Sequence, residues 1–278
     1  SMTAAGLDLN QAFRISQEFE QHLLTEKVHR IEKKDLFQHI KKTIEKQFDT
    51  YTSELYELAS RLDQLKRPVI IYIGGAPGTG KSMLATSLAT RLGINKVIST
   101  DSIREIMRLA FSNDLLPTLF HSTTEAWKGL PMEFQSSEQL IAGYCLQANQ
   151  VSLGVRAVVE RTVEEGENLI VEGAHLVPFL HEIAKKEMVD AYHIPITLSI
   201  MNEKHHRERF SERGTKNLRK IENFYLERFD GIRSIHEYTL TQCETDEVEV
   251  FDNEDLDETL NLIIQFSIQR LFKQVNSE

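Results

Sequence analysis

Five consecutive apolar residues, Val69-Ile70-Ile71-Tyr72-Ile73, run through Gly74 into Gly75-Ala76-Pro77-Gly78-Thr79-Gly80-Lys81-Ser82. No other junction in the 278 residues constrains the fold as much. A continuous, largely β-branched run suits a strand buried on both faces of a parallel sheet. The segment after it fits G-x-x-x-x-G-K-[ST], and residues 81–92 carry a helical pattern. Strand, glycine-rich turn and helix in that order make a cradle for phosphate. Glycine admits torsions and close approaches that a Cβ forbids, and the amides turn inward at the positive helix N-terminus. Gly75, Ala76, Pro77, Gly78, Thr79, Gly80, Lys81 and Ser82, with Met83 behind them, are therefore expected to bind nucleotide. Lys81 would reach the β- and γ-phosphates and the Ser82 hydroxyl would ligate Mg²⁺, so ATP and Mg²⁺ are the expected cofactors. A Rossmann dinucleotide site is disfavoured, because G-x-G-x-x-G is absent and a lysine stands where that loop needs none.

Beyond the loop, strand and helix patterns alternate. Strands are expected over 96–100, 168–171, 191–201 (broken by Pro195) and 248–251, and helices over 102–109, 135–165, 203–211, 221–241 and 256–272. Such alternation predicts an α/β fold: a parallel sheet with helices on both faces. Residues 7–66 differ in texture. Apolar residues from Leu36 to Leu65 recur in steps of three and four, which predicts one long amphipathic helix, and shorter helices precede it. The chain thus divides into an all-helical N-terminal extension, 7–66, and an α/β domain carrying the phosphate loop, 67–278. The apolar stripe of the extension packs as a hairpin or serves a homodimer.

Charge narrows the partners. The net charge of −10 concentrates in residues 244–258, which carry nine acids and no base, while 1–66 hold ten bases against eleven acids. Nothing resembles the broad basic face of a duplex-binding protein, so no nucleic-acid partner is expected. No apolar run approaches the roughly 18–20 residues needed to cross a bilayer, and no signal pattern opens the chain, which points away from the membrane and to the cytoplasm. Two isolated cysteines, Cys145 and Cys243, cannot make a disulfide framework or a zinc site.

A phosphate loop alone leaves several kinase and NTPase classes open. Asp101 stands at the carboxyl end of the 96–100 strand, where ligands bind in open α/β sheets, and Arg104 follows on the same helix face. A carboxylate able to accept a hydroxyl proton beside a guanidinium able to grip an anion is what phosphoryl transfer to a small acceptor requires. Asp101 could equally cap the helix. Glu172 ends a second apolar strand, Leu169-Ile170-Val171, where a carboxylate holds Mg²⁺ or positions the attacking group. His175 follows, facing the acceptor or satisfied within the core. Residues 204–220 carry seven bases against two acids and read either as a lid delivering guanidinium groups to the transferred phosphoryl or as a solvated helix face. Arg207 and Arg213 are the preferred pair there, and Arg219 is assigned to the acceptor.

Several blocks then resemble one family. They are residues 73–82, Val97-Ile98-Ser99-Thr100-Asp101-Ser102-Ile103-Arg104-Glu105-Ile106-Met107-Arg108, and Ala126-Trp127-Lys128. Leu169-Ile170-Val171-Glu172-Gly173-Ala174-His175-Leu176-Val177-Pro178, His206-Arg207-Glu208-Arg209-Phe210, Glu222-Asn223-Phe224, Phe229-Asp230-Gly231-Ile232-Arg233 and Phe251-Asp252-Asn253 complete the set. Together they make the chain similar to the 2-phosphoglycerate kinases, P-loop kinases, over residues 69–265. The resemblance implies ATP-dependent phosphorylation of 2-phosphoglycerate, a small anionic phosphorylated substrate, at its free hydroxyl, and it adds Lys128 to the acceptor side. Archaeal members carry an N-terminal region resembling an ATP-cone, in whose place this chain has the helices of 7–66. Other acceptors (a sugar, an inositol phosphate, a nucleotide) and a nucleotide-binding regulatory module are the competing readings.

Overall fold

The computed structural model describes residues 2–28, 30–62, 65–131, 138–180, 190–211 and 224–277. Its chain falls into two compact units, Arg67–Thr259 and Ser1–Lys66 with Leu260–Glu278. The helix Leu256–Asn276 is divided between the two units at Leu260.

In the larger unit five strands form one parallel sheet: β1 (Val69–Gly74), β2 (Lys96–Ser99), β3 (Leu169–Glu172), β4 (Tyr192–Ser199) and β5 (Glu249–Asp252), in the order β2-β3-β1-β4-β5. β1 and β4 are buried at every residue, as strands covered on both faces must be. Pro195 does not break β4, contrary to expectation. β5 pairs only from Ile196 onward, so at Pro195 β4 has a ladder neighbour on one flank alone and its missing N–H can face the other.

Helices of this unit are α4 (Lys81–Leu92), α5 (Thr100–Ala110), α6 (Gln139–Glu164), α7 (Glu203–Ser211) and α8 (Phe229–Asp246). α6 lays Tyr144, Ala148, Val151, Val155 and Val159, a helical stripe, into the core. Ile70, Tyr72, Val171, Leu176 and Ile103 join Val151, Val155 and Val159 there. Of the helix expected over 221–241, residues 224–227 are helical, Arg228 interrupts, and α8 runs on to Asp246; the first three residues of that expected helix lie outside the described residues.

In the smaller unit α1 (Leu9–Thr25), α2 (Lys33–Gln47) and α3 (Thr50–Ala59) join the later part of α9 (Leu256–Asn276). The single helix expected from Leu36 to Leu65 is cut at Phe48. Asp49 accepts the Thr52 N–H at 2.7 Å and starts a new helix, so a strong N-cap overrides a continuous apolar period. Among the described residues no helix is long and apolar enough to cross a membrane.

One glycine fixes the junction beneath the sheet's carboxyl edge. Gly173 follows Glu172 with φ +150°, and a Cβ there would lie 1.8 Å from the Thr100 hydroxyl. Gly173→Ala is expected to cost on the order of 3 kcal/mol, read as a fall in the thermal unfolding midpoint; an unchanged midpoint would show that Thr100 can move aside.

Candidate functional site

β1 ends where it must to project the 75–80 loop from the carboxyl edge of the sheet, and α4 begins at Lys81 with no side chain capping its N-terminus. Its first amides are thus left for an anion. Gly75, Gly78 and Gly80 all take positive φ, as the loop reading requires. The Lys81 ammonium is buried and donates to the Ala76 carbonyl at 2.7 Å, and the Thr79 hydroxyl donates to the same oxygen at 3.0 Å.

β3 lies between β1 and β2, with Glu172 in register with Ile73 on one side and Ser99 on the other. That placement brings its carboxylate to Ser82, whose hydroxyl donates to it at 2.9 Å. Burial pushes the Glu172 carboxyl above its usual range, and the Lys81 charge opposes this. A hydroxyl and a carboxylate side by side at the mouth of a phosphate loop are the hard oxygen donors Mg²⁺ takes, the rest coming from phosphate and water. Ser82 and Glu172 therefore fit the ion expected there.

Asp101 sits in the first turn of α5, and its side chain is 70% exposed. It is not the cap: Ser99 fills that role, its hydroxyl accepting the Ser102 N–H at 3.1 Å. Arg104 Nε lies 3.9 Å from the Asp101 carboxylate. The guanidinium is held from its far end, where Nη1 donates to the His121 carbonyl at 2.7 Å. Its buried Nε finds no hydrogen-bond partner among the described residues, which leaves a charged donor for a ligand.

A cavity of about 220 Å³ joins these groups. Lys81, Ser82, Asp101, Arg104 and Glu172 line it, with Ser122, Thr123 and Thr124 opposite and Phe210, Phe224 and Tyr225 among its apolar walls. A second cavity, about 550 Å³, lies against Gly78, Gly80 and Met83 and is bounded by Arg209, Asn253 and Leu256.

Three expected site residues are not brought in. His175 is fully buried. Its Nε2 faces the Gln147 carbonyl oxygen at 3.1 Å and must donate, so Nδ1 accepts from the Thr100 hydroxyl at 2.8 Å. Burial holds its pKa down at about 4, and the ring braces Thr100 instead of facing an acceptor. Lys128 is absent from the cavity lining; it pairs with Glu125 at 2.6 Å. Arg207 lies with its guanidinium 4.1 Å over the Phe229 ring and within 4.0 Å of Glu203 and Asp230, in neither cavity. Arg209, two residues on in α7, lines the second cavity. Arg213 and Arg219 lie outside the described residues.

Sequence reasoning missed the hydroxyl run 122–124, which carries no periodicity or motif, and the aromatic wall. That wall is pinned through Arg228, which donates to Glu125 at 3.1 Å and to the Phe224 carbonyl at 3.0 Å. Contacts from Arg228, the stronger, and from Lys128 hold the Glu125 carboxyl down at about 2. Glu125 is therefore a fixed anion, neutralised beside the cavity.

Among known families, the one described as AAA domain matches residues 71–230. A 2-phosphoglycerate kinase of Methanopyrus kandleri is 35% identical over 98% of this chain and 83% of its own length. One of Methanocaldococcus jannaschii is 36% identical over 100% of this chain and 88% of its own. One of Pyrococcus furiosus is 36% identical over 95% and 85%. The match to the second runs through residues 7–66 as well, which corrects the expectation that the N-terminal helices replace a different region of the archaeal proteins.

Proposed function

The chain belongs to the 2-phosphoglycerate kinase family and carries that AAA domain over residues 71–230, and from this membership we propose that it moves the γ-phosphoryl of ATP to the free hydroxyl of 2-phosphoglycerate. It is an ATP-dependent small-molecule kinase. The observation that carries the acceptor assignment is the 220 Å³ cavity, in which Lys81, Ser82 and Glu172 face Asp101 and Arg104. The volume falls below the roughly 300–1,000 Å³ of drug-sized ligand sites, which favours a three-carbon acid over a sugar nucleotide or a nucleic-acid end.

In this reading the loop amides and the α4 N-terminus bind the nucleotide phosphates, and Lys81 leaves the Ala76 carbonyl for them. Ser82 and Glu172 hold Mg²⁺, which offsets the charge of the phosphates. Arg104 grips the acceptor's phosphate or carboxylate through Nε, which makes no hydrogen bond among the described residues, and the 122–124 hydroxyls supply further donors. Exposed Asp101 orients the acceptor hydroxyl and takes its proton as the new O–P bond forms and the bond to the β-phosphate oxygen breaks. ADP leaves, and 2,3-bisphosphoglycerate remains. Little covalent chemistry falls to the protein; positioning and electrostatics carry the rate.

The test is ADP release with a panel of acceptors, the product identified by phosphorus NMR. Transfer to 2-phosphoglycerate, with glycerate and sugar phosphates at least about tenfold poorer in kcat/KM, is expected, since a binding site built for a charged group rejects the analogue lacking it. Transfer to another acceptor in preference would remove the assignment, and ADP formation with none would remove the transfer.

A further inference from the structure

His206 belongs to a block that resembles the family, yet no step of the transfer uses it. It sits on α7, is fully buried, and stands between two groups of opposite demand. Its Nδ1 is 3.2 Å from Arg233 Nη1, and its Nε2 is 2.8 Å from the Pro77 carbonyl oxygen. A guanidinium only donates, so Nδ1 must accept, and the ring proton lies on Nε2 and is donated to Pro77. Both ring nitrogens are used by the neutral form, and burial, the main cause, holds the pKa down at about 4.

The consequence follows from peptide geometry. Across a planar trans peptide the C=O and the next N–H point in opposite directions, and no cis bond occurs among the described residues. Fixing the Pro77 carbonyl on His206 therefore aims the Gly78 N–H away from that ring. The same happens two residues on: Asn253 Nδ2 donates to the Thr79 carbonyl at 2.8 Å, which aims the Gly80 N–H away from Asn253. The short-range bonds of Lys81 and Thr79 do not do this, because both go to the Ala76 carbonyl. The anchors are distant in the chain, 129 and 174 residues from their carbonyls. The fit is close: a Cβ on Gly78, whose φ is +86°, would lie 2.3 Å from the Phe210 ring and 3.0 Å from His206 Nε2.

We propose that His206 is a positioning residue for nucleotide: by holding the Pro77 carbonyl it presents the Gly78 amide to the phosphates, with Asn253 doing the same for Gly80. α7 thereby couples the start of the basic stretch to the loop. The inference rests on the proposed transfer only in taking nucleotide phosphate as the loop's ligand, so it is tested by binding without acceptor.

The measurement is calorimetric titration of the full chain with Mg²⁺ and a non-hydrolysable ATP analogue, beside steady-state kinetics. His206→Leu, which keeps the bulk and loses the donor, is expected to raise the nucleotide Kd about tenfold, the effect of one misdirected hydrogen bond. The acceptor KM at saturating ATP should stay within about twofold, since the acceptor groups lie on other elements. His206→Gln, whose amide N–H can occupy the Nε2 position, should restore most of the affinity, whereas His206→Asn, one methylene shorter, should not. Asn253→Leu should raise the Kd independently. A folded His206→Leu protein with wild-type Kd overturns the proposal, as does a Gln variant no better than Asn. Should the Leu variant not fold, the Gln and Asn pair decides alone. Normal nucleotide binding with no transfer to 2-phosphoglycerate would instead remove the acceptor and leave this assignment standing.

Discussion

Lys81→Ala is expected to abolish turnover, by about 10³-fold or more in kcat, while the thermal unfolding midpoint changes little; removal of a single preorganised donor to developing charge costs about 10²–10³, and two effects combine here. The first is direct, since the ammonium beside the loop is the cation placed for the β- and γ-phosphates. The second acts through Glu172. Burial pushes that carboxyl toward its neutral form, and Lys81 is the foremost influence pulling it back. Without Lys81 the carboxylate is less ionised and the Ser82–Glu172 pair is a poorer Mg²⁺ site. The fold should persist because the Ala76 carbonyl, which accepts from Lys81, keeps a second donor in the Thr79 hydroxyl. Raised Mg²⁺ should recover the part of the loss that runs through Glu172 and none of the rest. Turnover near the wild-type level would take the loop out of the mechanism.

What the sequence disclosed and what it withheld divide along the range of the interactions. β1, the loop and α4 were readable because each residue answers to its neighbours: β-branched strand, glycine turn, helix start. Asp101, Arg104 and Glu172 were readable because strand ends mark the ligand edge of a parallel sheet, and the structure lines one cavity with all three. Which α7 arginine lines a cavity was not. Arg207 and Arg209 are two residues apart and so point about 200° apart on a helix. Which one meets the loop depends on how α7 docks through Phe210, a tertiary fact. Which of its two readings His175 takes was hidden for the same reason, since its partners Thr100 and Gln147 lie 75 and 28 residues away. The 122–124 hydroxyls escaped because irregular backbone has no period to betray them. In the helical unit the error ran the other way: a local signal, the Asp49 cap, overrode the apolar repeat that runs across it.

Acid should unfold the larger unit early, and histidine is the cause. His175, His206 and His236 are all fully buried, and burial holds each at about 4, against an ordinary value of 6.5. A depressed folded value means that the unfolded chain binds more protons between those limits. The stabilisation is therefore complete above pH 6.5 and is lost as pH falls toward 4. Three such groups would give nearly three protons of difference near pH 5. Glu172 acts in the opposite direction, because burial raises its folded value. The three histidines set an upper limit on the slope near pH 5, on the order of 3–4 kcal/mol of stability per pH unit. That slope would consume much of a typical 5–15 kcal/mol by pH 4.5. Glu125, already held at about 2, contributes only at lower pH. Denaturant midpoints at pH 7.5, 6 and 5 measure the effect, with a flat profile between 7 and 5 contradicting it. His236→Gln tests the attribution. Its side-chain oxygen can still accept the Ile200 N–H that His236 Nε2 takes at 3.2 Å, so the variant should fold and show a slope shallower by about one proton, roughly 1.4 kcal/mol per pH unit. An unaltered slope would move the acid sensitivity to other groups.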